Sequence, residues 1–240
     1  MSRFLVLDTE TIPCLEMARR VWGIDPESPG AFEAIGEARR TETDGKGDTS
    51  FPKPFMHRIV GIGMVGLDLA KGTVSVVSAA GEDESEYLRR FHLMLAGRPV
   101  LVTWNGLGFD LPVIRYRALF HALPLPQLYG ATLRGYDRYD YRFGEQHFDL
   151  MDILSGFGRS PTLKLSEMAA LCDVPCKSQG SSDQVLGWFR AGDFPKIDFH
   201  VQEDAQATAR IFLNWWASRG SAPWDALAPL DEQLASMVAV

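Results

Sequence analysis

The sequence predicts an α/β fold, a mixed β-sheet flanked by α-helices in a single domain. Short apolar runs suited to buried strands recur up to Trp104, and segments of helical period fill most of the chain beyond it. The element order β–β–β–α–β–α, followed by helices, is that of one mixed sheet with helices packed on it. At 240 residues the chain fits one generous domain, which buries roughly 70% of its unfolded surface, so core size is no obstacle.

Phe4 to Leu7 is a continuous apolar run, as expected of a central strand covered on both faces. Residues 13–56, rich in proline, glycine and mixed charge, read as an irregular insertion with a short helix over Leu15 to Val21. Ile59 to Leu67 and Thr73 to Ala79 read as strands joined by a hairpin turn through Asp68-Leu69-Ala70-Lys71-Gly72. Glu82 to Leu95 places Tyr87, Leu88, Phe91, Met94 and Leu95 on one side of a helix. Pro99 to Trp104 is a further buried strand, and Asp110 opens a helix over Leu111 to Ala122, with Pro112 in the first turn. Tyr129 to His147 has no clean period. Helices are expected over Thr162 to Cys172, Ser182 to Ala191 and Phe199 to Trp216, with 221–240 a C-terminal extension that adds a short one.

Composition excludes some classes. The 46% hydrophobic and 23% charged fractions are those of a globular protein, and no apolar run approaches the ~20 residues of a membrane span. The expectation is therefore a cytoplasmic protein without a membrane partner. Cys14, Cys172 and Cys176 do not make a disulfide framework and are expected as free thiols. A net charge of −7 argues against nucleic acid if phosphates are gripped by a basic surface, but not if they are gripped through metal ions held by carboxylates.

Three segments carry such carboxylates. In Leu7-Asp8-Thr9-Glu10-Thr11, at the end of an apolar strand, the side-chain period of two turns Asp8 and Glu10 to one face. Two carboxylates ~4 Å apart repel by about 4 kcal/mol at an effective dielectric near 20, which a divalent metal would offset. In Trp104-Asn105-Gly106-Leu107-Gly108-Phe109-Asp110 a second strand ends in a glycine-flexed loop that delivers Asp110 to a helix start, where simple capping is the competing role. In His200-Val201-Gln202-Glu203-Asp204 the spacing of four sets His200 and Asp204 on one helical face. Together the segments supply about the number of oxygen ligands that two ions ~3.5–4 Å apart require.

The three-part pattern resembles the DEDD 3′-5′ exonucleases, whose motifs begin with Asp-x-Glu, continue with Asn-x-x-x-Phe-Asp, and end in Tyr-x-x-x-Asp or His-x-x-x-x-Asp. Asn105 through Asp110 fits the second motif letter for letter. More narrowly, the chain resembles the predicted exonucleases related to the proofreading domain of family B DNA polymerases. That likeness covers Leu7 to Pro13, His57-Arg58-Ile59-Val60, Asn105 to Pro112, Phe148 to Ser155 and Ile197 to Thr208. It implies a ribonuclease H-like sheet, two Mg²⁺ or Mn²⁺ ions on Asp8, Glu10, Asp110 and Asp204, and the Thr9 backbone near the terminal nucleotide. The narrower family carries Tyr where this chain has His200. A tyrosine orients water, whereas an imidazole with a pKa near 6.5 can also take its proton, so His200 is expected to be the general base or water-positioner. Asp149, in Phe148-Asp149-Leu150-Met151-Asp152, is expected either to support the site or to start a helix.

Tyr129, Arg134, Tyr136, Arg138, Tyr139, Tyr141 and Arg142 interleave aromatic and guanidinium groups, which suits stacking on single-stranded bases as well as a loop anchored by its aromatics. Tyr136, Arg138 and Arg142, with Thr9, Asn105 and Phe109, are the expected substrate contacts. The expected reaction is removal of nucleoside 5′-monophosphates from single-stranded DNA ends. RNA as substrate, or a weakened nucleic-acid-binding descendant, are the alternatives, and no polymerase or repair partner can be read from the residues.

Overall fold

A computed structural model describes residues 3–42, 52–129, 134, 137–176 and 182–237. Its sheet has five strands in the order β3-β2-β1-β4-β5. Strand β1 (Arg3–Pro13) pairs antiparallel with β2 (His57–Asp68), which pairs antiparallel with β3 (Thr73–Ala80). On its other side β1 runs parallel to β4 (Val100–Thr103), and β4 parallel to β5 (His147–Asp149). The mixed α/β sheet matches expectation. Strand β5 does not appear in the sequence reading, because a three-residue strand is too short to show a period.

The pleat of β1 divides the core. Leu5 and Leu7 face α3 (Glu84–Met94) and α4 (Asp110–Phe120), packing with Leu88, Phe91, Val113 and Ile114. Phe4 and Val6 face the opposite way, with Val65, Ala205 and Phe212. That face is covered by α9 (Phe194–Ser218), whose buried Ile197, Val201, Ala205, Thr208 and Phe212 recur at the three- and four-residue spacing of a helical stripe. Helix α9 begins five residues before the expected start, with Pro195 in its first turn where a missing amide costs least.

The 13–56 segment is more ordered than its composition suggests. Helix α1 (Leu15–Trp22) lies where expected, but α2 (Ala31–Glu42) is a second helix there, and its Ile35 packs with Ala18 and Met56. Short helices α5 (Pro126–Tyr129), α6 (Leu150–Leu154) and α7 (Leu165–Leu171), then α8 (Ser182–Arg190), precede α9. Helix α10 (Trp224–Met237) buries Leu227, Leu230 and Leu234 in the core. Cys14, Cys172 and Cys176 form no disulfide, and among the described residues no helix is long and apolar enough to cross a membrane.

Candidate active site

Asp8 and Glu10 continue the Phe4–Val6 face of β1 to its carboxyl end, where the apolar core stops. Their cross-strand neighbours on β2 are Gly63 and Gly61. A Cβ at Gly63 would meet the Val201 carbonyl oxygen of α9 inside 3.0 Å, closer than real Cβ atoms come, and one at Gly61 would meet Ile197 Cγ2 at 3.0 Å. These glycines let the helix lie directly on the sheet. That close approach brings His200 and Asp204 over the β1 carboxylates. Donor atoms of Glu10, His200 and Asp204 all fall within 4.8 Å of one another, with His200 Nε2 3.5 Å from Glu10 Oε1.

The fourth carboxylate arrives from the opposite side. Asn105 adopts a left-handed backbone (φ 64°), and its carbonyl accepts from the amides of Gly108 and Phe109, curling the loop that leads into α4. Asp149 holds that loop: its carboxylate accepts from the amides of Asn105 (3.0 Å) and Leu107 (2.9 Å), and caps α6 through Asp152 (3.4 Å). The expected helix-start role of Asp149 is thus present, and its other two hydrogen bonds hold the loop that leads to Asp110. Asp110, buried as the first residue of α4, accepts a 2.6 Å hydrogen bond from the Thr9 hydroxyl. Thr9 points away from Asp8 and Glu10, and its side chain orients Asp110. Sequence reasoning offered no signal for that contact beyond the alternation of the strand.

Electrostatics set Asp8, Glu10 and Asp110 apart from ordinary carboxyls. Burial first, then the charges of Asp204, Asp110 and Glu10, push the Asp8 carboxyl well above its usual range. Burial and the charges of Asp204 and Asp110 raise Glu10 to about 8. Asp110 rises to about 6, chiefly by burial and against the hydrogen bond from Thr9. Burial lowers the His200 pKa, so the ring is neutral near pH 7, with Trp188 edge-on to it at 5.7 Å. Cys176 Sγ lies 4.0 Å from Asp204 Oδ1. Oxygen donors that repel one another and a neutral imidazole are a donor set that fits divalent cations.

The other expected residues are more dispersed. Phe109 packs edge-on against His57 at 5.0 Å. Arg138 is bidentate to Asp140, and Arg142 to Asp152. Arg142 and Asn105 line one cavity of about 540 Å³ with Arg115 and Asp149. Tyr139 is buried and donates to the Pro99 carbonyl, whereas Tyr141 is exposed beside Phe143, itself 64% exposed. Phe157 meets Phe143 edge-on at 4.8 Å, and the Arg142 guanidinium lies against both rings. Arg134 is exposed; Tyr136 lies outside the described residues.

A mixed sheet of this order with flanking helices is a ribonuclease H-like fold, and carboxylates from β1, α4 and α9 gather at the end of its central strand. Residues 49–238 match the family described as "Predicted 3'-5' exonuclease related to the exonuclease domain of PolB", and the chain belongs to that family. The match begins after Asp8 and Glu10, whose place in the site rests on geometry. The fold is similar to that of the family B DNA polymerase from the hyperthermophilic archaeon Pyrobaculum calidifontis, with TM-score 0.56 and 19% identity over 95% of this chain and 27% of the polymerase. The chain thus spans about a quarter of that relative's length. A product-bound exonuclease I structure aligns at TM-score 0.42 and 14% identity, over 95% of this chain and 46% of the other, too distant to add to the fold assignment. Among curated proteins none matches.

Proposed function

We propose that this exonuclease removes nucleoside 5′-monophosphates from the 3′ ends of single-stranded DNA, with two divalent ions, Mg²⁺ or Mn²⁺, held by Asp8, Glu10, Asp110 and Asp204. The observation that supports this reading is the crowding of carboxyls from β1, α4 and α9, where burial and, for Asp8 and Glu10, neighbouring charge raise the pKa values of Asp8, Glu10 and Asp110. When bound, such ions supply an activated water and stabilise charge on the leaving 3′ oxygen. Asp8 and Glu10 hold their places through the strand and its glycine neighbours, and Asp204 through the α9 contact with those glycines. Thr9 keeps one Asp110 oxygen occupied and its carboxyl group aimed.

The substrate strand is proposed to enter over the cavity beside Asn105, with Phe109 and the Thr9 backbone close to the terminal nucleotide. Exposed Tyr141 and Phe143, with Phe157, offer ring faces for bases, worth about 1–3 kcal/mol each. Arg142, Arg138 and Tyr136 would serve the same strand, the arginines exchanging Asp152 and Asp140 for phosphate. Such contacts do not read base edges, so little sequence preference is expected.

The test is hydrolysis of single-stranded DNA, 3′-recessed DNA and RNA with Mg²⁺, Mn²⁺ or EDTA, beside Asp8→Ala. Stepwise shortening from the 3′ end that needs metal and Asp8, fastest on single-stranded DNA, is the expected result. Faster shortening of RNA would replace the substrate. Binding without cleavage by folded, metal-loaded protein would replace the function with nucleic-acid binding.

A further inference from the structure

His200 brings a nitrogen donor to a cluster whose other donors are carboxylate oxygens. His200 is 7% exposed, on the stripe of α9 that faces the sheet, and one donor atom each from Glu10, His200 and Asp204 lie within 4.8 Å of one another. Two donors on one small divalent ion, each about 2.0–2.2 Å from it, stand about 3–3.5 Å apart. The separation of His200 Nε2 and Glu10 Oε1 is 3.5 Å, at the outer edge of that range. A tyrosine at this position would offer a phenol with a pKa near 10, a poor ligand at neutral pH, so an all-oxygen carboxylate site would remain.

We propose that His200 Nε2 is a direct ligand of the ion held by Glu10 and Asp204, and that this nitrogen tilts the site from Mg²⁺ towards first-row transition cations such as Mn²⁺ and Zn²⁺. The inference rests on the two-ion exonuclease reading above. Mg²⁺ takes oxygen donors almost exclusively, whereas imidazole suits the later divalent metals, whose affinity for such a site rises along the series from Mn²⁺. A ligand role also excludes the base role for the same nitrogen, because coordination occupies the lone pair that would take the proton. Cys176, 4.0 Å from Asp204, adds a soft donor at the rim of the same cluster.

Mn²⁺ bound to the whole chain is the probe, read by pulsed electron paramagnetic resonance. Coupling to an imidazole nitrogen is expected in the unaltered protein, and ¹⁵N-histidine labelling should convert it to the ¹⁵N pattern without any substitution. His200→Tyr, shown to be folded by circular dichroism, should abolish the coupling and lower the Mn²⁺-over-Mg²⁺ affinity ratio by about tenfold or more, measured by calorimetry. Bound Mn²⁺ without nitrogen coupling, or an unchanged ratio in His200→Tyr, would overturn the inference while leaving the carboxylate site intact. Failure of the unaltered protein to bind Mn²⁺ or Mg²⁺ at all would overturn both.

Discussion

Glu84 and Arg117, with the half-buried His121 beside them, form one cluster of charged groups, and Asp8, Glu10, Asp110 and Asp204 another, and the two obey opposite rules. In the first, Arg117 donates through Nε and Nη2 to the two oxygens of Glu84, His121 Nε2 donates to the same carboxylate at 2.7 Å, and the Ile59 amide completes its shell. Burial works against the Arg117 charge, yet the hydrogen bonds and charge of Glu84 raise its pKa above the usual value. In the second, burial and neighbouring charge act in the same direction and drive carboxyls towards protonation. One cluster is complete within the protein and joins α3 to α4 and β2. The other, partly open to solvent at Asp8, Glu10 and Asp204, gathers carboxyls among which neighbouring charge raises the pKa values of Asp8 and Glu10, as a site for an external cation does.

The contrast can be broken most severely at the open cluster. Asp8→Asn should lower exonucleolysis by about 10⁴-fold, about 5 kcal/mol of barrier, measured as single-turnover shortening of a labelled strand, and should abolish the rise in Tm on adding Mn²⁺. The same substitution should raise the Tm of the metal-free protein at pH 8, because it removes a repelling charge. Loss of metal-free stability instead would show that the cluster is balanced from within.

At the closed cluster the expected loss is of stability. Arg117→Met leaves Glu84 buried without its guanidinium and should cost about 3–5 kcal/mol by denaturant titration, with Mn²⁺ affinity unchanged. A matching loss of affinity would mean that the two clusters are coupled.

The pH dependence sharpens the distinction further. A carboxyl with a raised pKa in the folded state holds a proton that the unfolded chain has released, so stability falls as pH rises through the gap. For Glu10 the gap runs from the ordinary value of 4.5 to about 8. Metal-free protein should therefore lose Tm between pH 5 and 8, by about 2–4 °C for each kcal/mol. Saturating Mn²⁺ should flatten or reverse the slope, since metal binding releases those protons. A metal-free Tm that is constant or rising over this window would sink the assignment of raised values.

The smallest expected effect concerns the glycines that close α9 onto the sheet. Gly63→Ala should cost about 1–3 kcal/mol of stability and weaken Mn²⁺ binding, because the added methyl drives Val201 and its helix from Asp8. Gly187→Ala, in α8 where a Cβ would meet nothing within 4 Å, should be neutral or stabilising by up to about 1 kcal/mol. Equal affinities in the two variants would detach the site from the helix approach.

Much of the open cluster was legible because its information is local. The period of two in Asp8-Thr9-Glu10, the spacing of four from His200 to Asp204, and the Asn105-to-Asp110 motif each fit within seven residues. The closed cluster was not legible, since Glu84 and Arg117 are 33 positions apart and nothing local in either marks a partner. The role of Gly61 and Gly63 was invisible for the same reason: a glycine in a strand reveals close approach only once the approaching helix is known. Helix α2 was missed because it lies in a stretch dominated by loop-forming composition, where tertiary packing of Ile35 outweighs propensity.

The hold of Asp149 on two loop amides has a consequence for kinetics of solvent access. The Asn105 and Leu107 amides are bound to the Asp149 carboxylate at the end of the edge strand β5, which holds them against exchange with solvent as long as β5 stays paired with β4. Their deuterium uptake should track that of strand β4 rather than that of the glycines beside them. A segment that by composition is a mobile turn would then behave, over minutes to hours, as a piece of the sheet.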